Sequence, residues 1–154
     1  MDKKIDFIKE QLDTLFKQFH AAPLVSVEPI EDVIKLEVTG DDLSFLIGYR
    51  GRTLDSLQHF LGNALFTEFQ NWTPVHVDIN DYRKQREEKI EEIVKNIIDR
   101  VRFLKEAVEM EPMSSAERFF IHTYVSDYPD ITSASIGERA DRRVVLSPTG
   151  SSEE

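Results

Sequence analysis

The chain has no cysteine among its 154 residues. Disulfide frameworks, thiolate nucleophiles and cysteine-based zinc sites are therefore excluded, and a reducing, cytoplasmic home is expected. Long apolar runs are missing as well. No window approaches about 18 uncharged apolar residues, and the N-terminal MDKKIDFIKE has no apolar stretch, so neither membrane insertion nor a signal peptide is predicted. Glycine and proline are scarce, at six each, and low complexity is confined to the terminal SPTGSSEE. Positive charge is short too: 19 Lys and Arg face 29 Asp and Glu, for a net charge of −10. That balance argues against a protein that coats nucleic acid by bulk electrostatics.

Signatures of catalysis are also absent. There is no Walker A loop, no Gly-x-Gly-x-x-Gly and no cysteine nucleophile, and Ser135 has no base placed by sequence. His20, His59 and His76 are scattered without an i,i+4 partner, so no metal and no cofactor is expected. The chain is read as a binding protein, not an enzyme.

Hydrophobic residues at 40% and charged residues at 31% suit one ordinary domain or two small ones. Ile5, Ile8, Leu12, Leu15, Phe16 and Phe19 recur at helical spacing and predict a helix over 3–19. LVSVE, between Pro23 and Pro29, predicts a strand. VIKLEVTG predicts a second, because Ile34, Leu36 and Val38 alternate with Lys35 and Glu37. Asp41 or Asp42 is placed to cap a short helix through Ile47, which Gly48 would end. Another helix opens after Gly51 on a stripe of Leu54, Leu57, Leu61, Ala64 and Leu65, and PVHVDIN predicts a strand at 75–79. From Asp81 a long helix carries Ile90, Ile93, Val94, Ile97, Ile98, Val101 and Leu104 on one stripe. At ~1.5 Å per residue it would reach roughly 40 Å, enough to join two small units. After Pro112 come a helix in SSAERFFIHTYV, a loop at Asp127 to Asp130, and strands in ITSASI and RRVVLSP.

Charge is uneven along this order. Residues 1–42 carry 5 basic and 10 acidic side chains, 67–111 carry 8 and 11, and 112–150 carry 4 and 5, whereas 43–66 carry 2 and 1. That net-positive segment holds LIGYRGRTLDSLQHFLGNAL, in which Gly48-Tyr49-Arg50-Gly51 alone joins two helical patterns. Glycines at such a turn let a backbone or a ligand approach without a Cβ in the way. The helix that follows points free amides and its positive dipole end at whatever lies over the turn, which makes an anion site. Arg50 and Arg52 would add charge-assisted bonds to a phosphodiester. The plain alternative is a glycine C-cap and a tight inter-helix loop. Asp55 supports the helix dipole and would slightly oppose phosphate.

Arg118 and His122, four apart on one helix face, suit a phosphate or a stacked base. Their plain reading is a surface arginine and a histidine near a helix C-terminus. The acids of EEKIEEIVK read as a solvated face, although the basic YRKQR before them could extend a binding surface.

The order helix, strand, strand, helix, Gly-x-x-Gly, helix, strand is that of a type II KH domain, a fold that clamps about four nucleotides of single-stranded backbone. The succession FLIGYRGRTLDSLQ, VDINDYRKQREEKI and PMSSAERFFIHTYVSDYPDITSASIGERADRRVVLSP resembles the bacterial Jag family, also called SpoIIIJ-associated or KhpB, from about Val33 to Pro148. That family joins a KH domain to an R-3-H domain named for its Arg-x-x-x-His helix. Gly48, Tyr49, Arg50 and Gly51 match its KH loop. Arg118 and His122 match the R-3-H pair, and Ser135, Gly137 and Arg143 match later positions of that domain. Many members have lysine where Tyr49 stands, which trades a charge for a ring that can stack. Longer members carry an additional N-terminal domain, which this chain is expected to lack.

The resemblance therefore implies an α+β protein: a type II KH domain at 1–80, a connecting helix at 81–108, a small α/β R-3-H domain at 109–149 and a disordered tail at 150–154. Its partner would be single-stranded RNA, with single-stranded DNA as the other polymer the same groups would accept. The binding residues expected are Ile47, Gly48, Tyr49, Arg50, Gly51, Arg52, Arg118, His122, Arg142 and Arg143. Ile47 and Leu54 would floor a groove for bases that strand edges read. The implied role is post-transcriptional regulation linked to the cell envelope and division. The alternative is a protein-interaction adaptor, associated with a membrane insertase, with a small KH-domain partner or with a second copy of itself.

Overall fold

The structure is a computed structural model that describes residues 1–150. From Ser151 onward the expected disordered tail lies outside the described residues. The chain divides into two compact units, Met1–Lys84 and Gln85–Glu154.

The first unit comprises α1 (Asp2–Gln18), β1 (Leu24–Ile30), β2 (Val33–Thr39), α2 (Ser44–Ile47), a 3-10 turn (Tyr49–Gly51), α3 (Arg52–Phe69) and β3 (Val75–Ile79). Its sheet has the order β1-β2-β3. β1 and β2 are antiparallel, in register from Leu24↔Thr39 to Ile30↔Val33. β2 and β3 are parallel, from Ile34↔Val75 to Val38↔Ile79. The helical stripes supply Ile8, Leu12 and Phe16 from α1 and Leu54, Leu57, Leu61 and Leu65 from α3. They share one core with Ile34, Leu36 and Val38 of β2 and Val75, Val77 and Ile79 of β3, because every second residue of a strand points to the same face. Strand β1 lies at the sheet edge and buries only Val27, a position that tolerates Pro29, which has no amide to donate.

One local expectation fails. Neither Asp41 nor Asp42 caps α2: its N-cap is Leu43, with no side-chain cap hydrogen bond. Asp42 sits instead at φ 55°, a left-handed turn conformation that short polar residues tolerate.

The second unit contains nearly all of α4 (Tyr82–Leu104), then β4 (Val108–Glu109), α5 (Ser115–Val125), β5 (Ile131–Ile136) and β6 (Arg143–Pro148). The sheet is antiparallel in the order β4-β6-β5. Most of the stretch 81–108, expected as a connecting helix, is α4. The boundary between compact units falls within its first turn, and Ile90, Val94, Ile98 and Val101 line a core with Ile121, Val125, Ile131, Val144 and Leu146. Strand β4 went unforeseen because two residues are too few to display an alternation; its pairing, Val108↔Leu146 and Glu109↔Val145, exists only through β6. Among the described residues no helix is long and apolar enough to cross a membrane.

Two charged contacts hold α4 in this unit. Arg102 makes a two-pronged bond to Asp130 at 2.6 and 2.9 Å, and that hydrogen bond draws the Asp130 carboxyl below its usual range. Arg86 Nε donates to Glu117 Oε1 at 2.7 Å, with the two side chains 19% and 11% exposed. The other oxygen of Glu117 accepts from the amide of Ser114, whose hydroxyl accepts in return from the amide of Glu117, a complete capping box for α5. Arg86→Ala would leave a largely buried carboxylate with half its bonds. The expected loss is about 2–3 kcal/mol of stability, read as a lower urea midpoint for the second unit with an unchanged denaturant slope.

Candidate nucleic-acid interface

Helix α2 ends at Gly48, whose amide donates to the Ser44 carbonyl and whose backbone adopts φ 69°, ψ −173°. This combination is essentially restricted to glycine. A Cβ there would strike the Thr53 hydroxyl and lie 2.8 Å from Thr53 Cβ and 3.0 Å from its backbone nitrogen. Arg50 follows at φ 52°, ψ 35° and Gly51 at φ 80°, ψ 8°. Three residues of positive φ among four reverse the chain within a single 3-10 turn. Helix α3 then opens with Gly51 as its N-cap and no side-chain cap hydrogen bond among the described residues.

Tyr49 projects from this turn at 68% exposure, and the Arg50 guanidinium stands over its ring at 5.0 Å. Arg52 is exposed at the first position of α3. Exposed Tyr49 and Arg52, with half-buried Arg50, at the N-terminus of α3 form a surface suited to phosphate oxygens and a stacked base. The expected groove floor is only partly present. Ile47 is half-buried and packs against the core, whereas Leu54 is fully buried in it and has no surface to offer a base.

Asp55 does not stand as an isolated negative charge. Arg83 Nη2 lies 3.2 Å from Asp55 Oδ1 and also 3.2 Å from Gln58 Oε1, while Arg83 Nε donates to the Val77 carbonyl at 3.0 Å. The same Gln58 oxygen accepts the Val77 amide at 3.0 Å. Arg83 thus belongs to the surface behind the turn. Sequence reasoning noticed YRKQR as a basic run without singling this residue out, and its proximity to the end of β3 was the available signal. The junction before it is held by Asn80, whose side-chain amide exchanges hydrogen bonds with the main chain of Gly40 at 2.8 and 3.0 Å.

In the second unit, Arg118 and His122 share the side of α5 that meets main chain and β5. Arg118 Nη1 donates to the Met113 carbonyl at 2.8 Å, and the Met113 amide donates to the Arg142 carbonyl at 3.1 Å. Both ring nitrogens of His122 are engaged, Nδ1 with Ser133 Oγ and Nε2 with Ser135 Oγ, each at 2.8 Å. One nitrogen of the neutral ring donates and the other accepts. Arg142 Nη1 donates to the Gly137 carbonyl at 3.0 Å and closes the loop between β5 and β6. Arg143 is committed elsewhere, to Glu109 at 2.7 Å and to the Asp141 carbonyl at 3.1 Å. In the same loop Arg139 is exposed at φ 50°; it is a cation that sequence reasoning passed over.

Comparison with known proteins matches the two units to two families. Residues 6–79 match the KH domain of KhpA/KhpB, and residues 88–148 match the R-3-H domain. A protein of Clostridium symbiosum named RNA-binding protein KhpB is 34% identical over 148 residues, which cover 95% of this chain and 65% of that protein. The Bacillus subtilis protein of the same name is 31% identical, over 94% of this chain and 72% of its own length. A Streptococcus pneumoniae protein of that name is 30% identical over 73% of this chain, and only 34% of its length is covered. The chain therefore spans about two thirds of the first two relatives and a third of the last. Both domain matches, in this order and along most of the chain, mean that it belongs to the KhpB (Jag) family of proteins that join a KH domain to an R-3-H domain.

Proposed function

We propose that this chain binds single-stranded RNA, with the Gly-x-x-Gly turn as a clamp on the phosphodiester backbone. The observation that carries this reading is the left-handed turn Gly48–Gly51, which opens α3 without a side-chain cap and carries exposed Tyr49 beside Arg50 and Arg52. The relatives named RNA-binding protein KhpB support RNA as the polymer. Arg118, Arg139 and Arg142 are the groups we assign to a second, weaker contact. We give His122 an anchoring part, supported by its two serine bonds. Membership of the family supports a regulator acting on transcripts after synthesis.

The test is fluorescence anisotropy of a short single-stranded RNA across a salt series. A clamp that neutralises ~3 to 4 phosphates gives a log–log slope of about −2 to −3. A slope near about −10 would indicate a broad basic surface, which a chain of net charge −10 does not supply, and would overturn the reading.

A further inference from the structure

In a parallel pair, alternate residues of a strand bond to the neighbour and the rest face outward. On β3, the carbonyl of Pro74 and the amide of Asn80 bond to β2, which leaves Val77 and Ile79 facing the outer edge. Around Val77 that edge is already occupied. The Val77 amide is taken by Gln58 Oε1, its carbonyl by Arg83 Nε, and the Ile79 amide by Asp78 Oδ1. The cluster lies just behind the clamp. Asp55 and Gln58 stand in the first two turns of α3, and a Cβ at Gly51 would come within 2.8 Å of the ring of Tyr82, the residue before Arg83.

The side chains that close the edge have not used all of their bonding capacity. Gln58 Nε2 and Arg83 Nη1 make no hydrogen bond to the described residues, and each carries two hydrogens. Asp55 Oδ2 is an acceptor beside them, since Oδ1 faces Arg83. Side-chain exposures of 32% for Arg83 and 46% for Asp55 leave these groups reachable.

We infer that Gln58 and Arg83, in place of the main chain of β3, read a base held next to the clamped backbone, and that they select bases with two adjacent acceptors. Cytosine presents N3 and O2 in this way, with its amino group available to Asp55. Guanine presents N7 and O6. Adenine alternates one acceptor with one donor and is disfavoured. The inference rests on the clamp reading above.

The experiment is anisotropy with four 8-nucleotide RNAs: rC8, rU8, rA8 and UUGUUGUU. Tighter binding of rC8 than of rA8 and rU8, or of UUGUUGUU than of rU8, by about tenfold, is expected from one good pair of base contacts, and those two arms tell cytosine from guanine. Arg83 also ties α4 to β3, so its replacement tests folding as much as recognition. Gln58→Glu is the cleaner variant, because it keeps an oxygen for the Val77 amide and for Arg83 while turning the two-hydrogen donor into an acceptor. Its added charge lowers affinity for all four RNAs alike, and the discrimination against rA8 is expected to vanish on top of that common loss. Equal affinities in the native protein, or a Gln58→Glu variant that keeps the native ratios, would overturn the base-reading role while leaving the clamp standing. Binding that ignores the clamp, with Tyr49→Asp and Arg50→Asp together leaving every affinity unchanged, would remove both readings, as would no binding of any 8-mer.

Discussion

Replacement of Tyr49 and Arg50 together by aspartate is expected to weaken binding of a short single-stranded RNA about a hundredfold, with folding left intact. The loss combines a charge-assisted bond to phosphate, worth about 1.5–3 kcal/mol, a stacking ring, and two new negative charges beside the polyanion. Each ~1.4 kcal/mol is a factor of ten, so a loss near 3 kcal/mol gives the stated change. Stability is spared for local reasons. Tyr49 is 68% exposed, and Arg50 occupies a left-handed conformation that aspartate adopts more readily than most residues. The cation–π contact between the two side chains is lost, at a surface cost of about 0.5–1 kcal/mol. Anisotropy and a urea titration on the same variant separate the two effects. Native affinity in a folded variant would take the turn out of the mechanism.

Gly48→Ala is expected to lower the stability of the first unit by about 3–5 kcal/mol, from a strained backbone and an overpacked contact acting together. The backbone at φ 69°, ψ −173° is one that an L-residue avoids, and the added methyl group would meet Thr53 at its hydroxyl, its Cβ and its backbone nitrogen. Shortening Thr53 would not rescue the variant, since two of those three atoms remain in alanine. Gly62→Ala provides the contrast. Gly62 lies inside α3, where a Cβ would touch the Trp72 ring at an ordinary 3.5 Å. Removing a glycine from a helix interior there is expected to stabilise by about 0.5–1 kcal/mol. Equal urea midpoints for the two variants would show that the turn is not held in this conformation in solution. Because folded domains are stable by only about 5–15 kcal/mol, the Gly48 variant is expected near the limit of folding at 37 °C.

Apart from β4, the element order was legible because each longer helix and strand carries its own period. Ile34, Leu36 and Val38 announce β2 by alternation, and Leu54, Leu57, Leu61 and Leu65 announce α3 by helical spacing. The turn was legible too, since two glycines and an arginine between apolar stripes are a local signal. The same local logic misled at α2, where an aspartate before an apolar run resembled a cap.

By itself, the sequence determined the class of fold, the order of the two units, the position of the reversal at Gly48–Gly51 and the presence of an arginine–histidine pair on α5. Tertiary structure alone decided what the polar side chains do. It brought Arg83 to Asp55 and Gln58 across 28 and 25 residues, occupied the edge of β3 at Val77 with Arg83 and Gln58, buried Leu54, and tied His122 to two serines of β5. The physical reason lies in the range of each signal. Apolar periodicity reports which face of an element is buried and is written within the element itself. A hydrogen bond between distant polar groups depends on the angle and distance at which two elements pack, and no repeat along the chain encodes that.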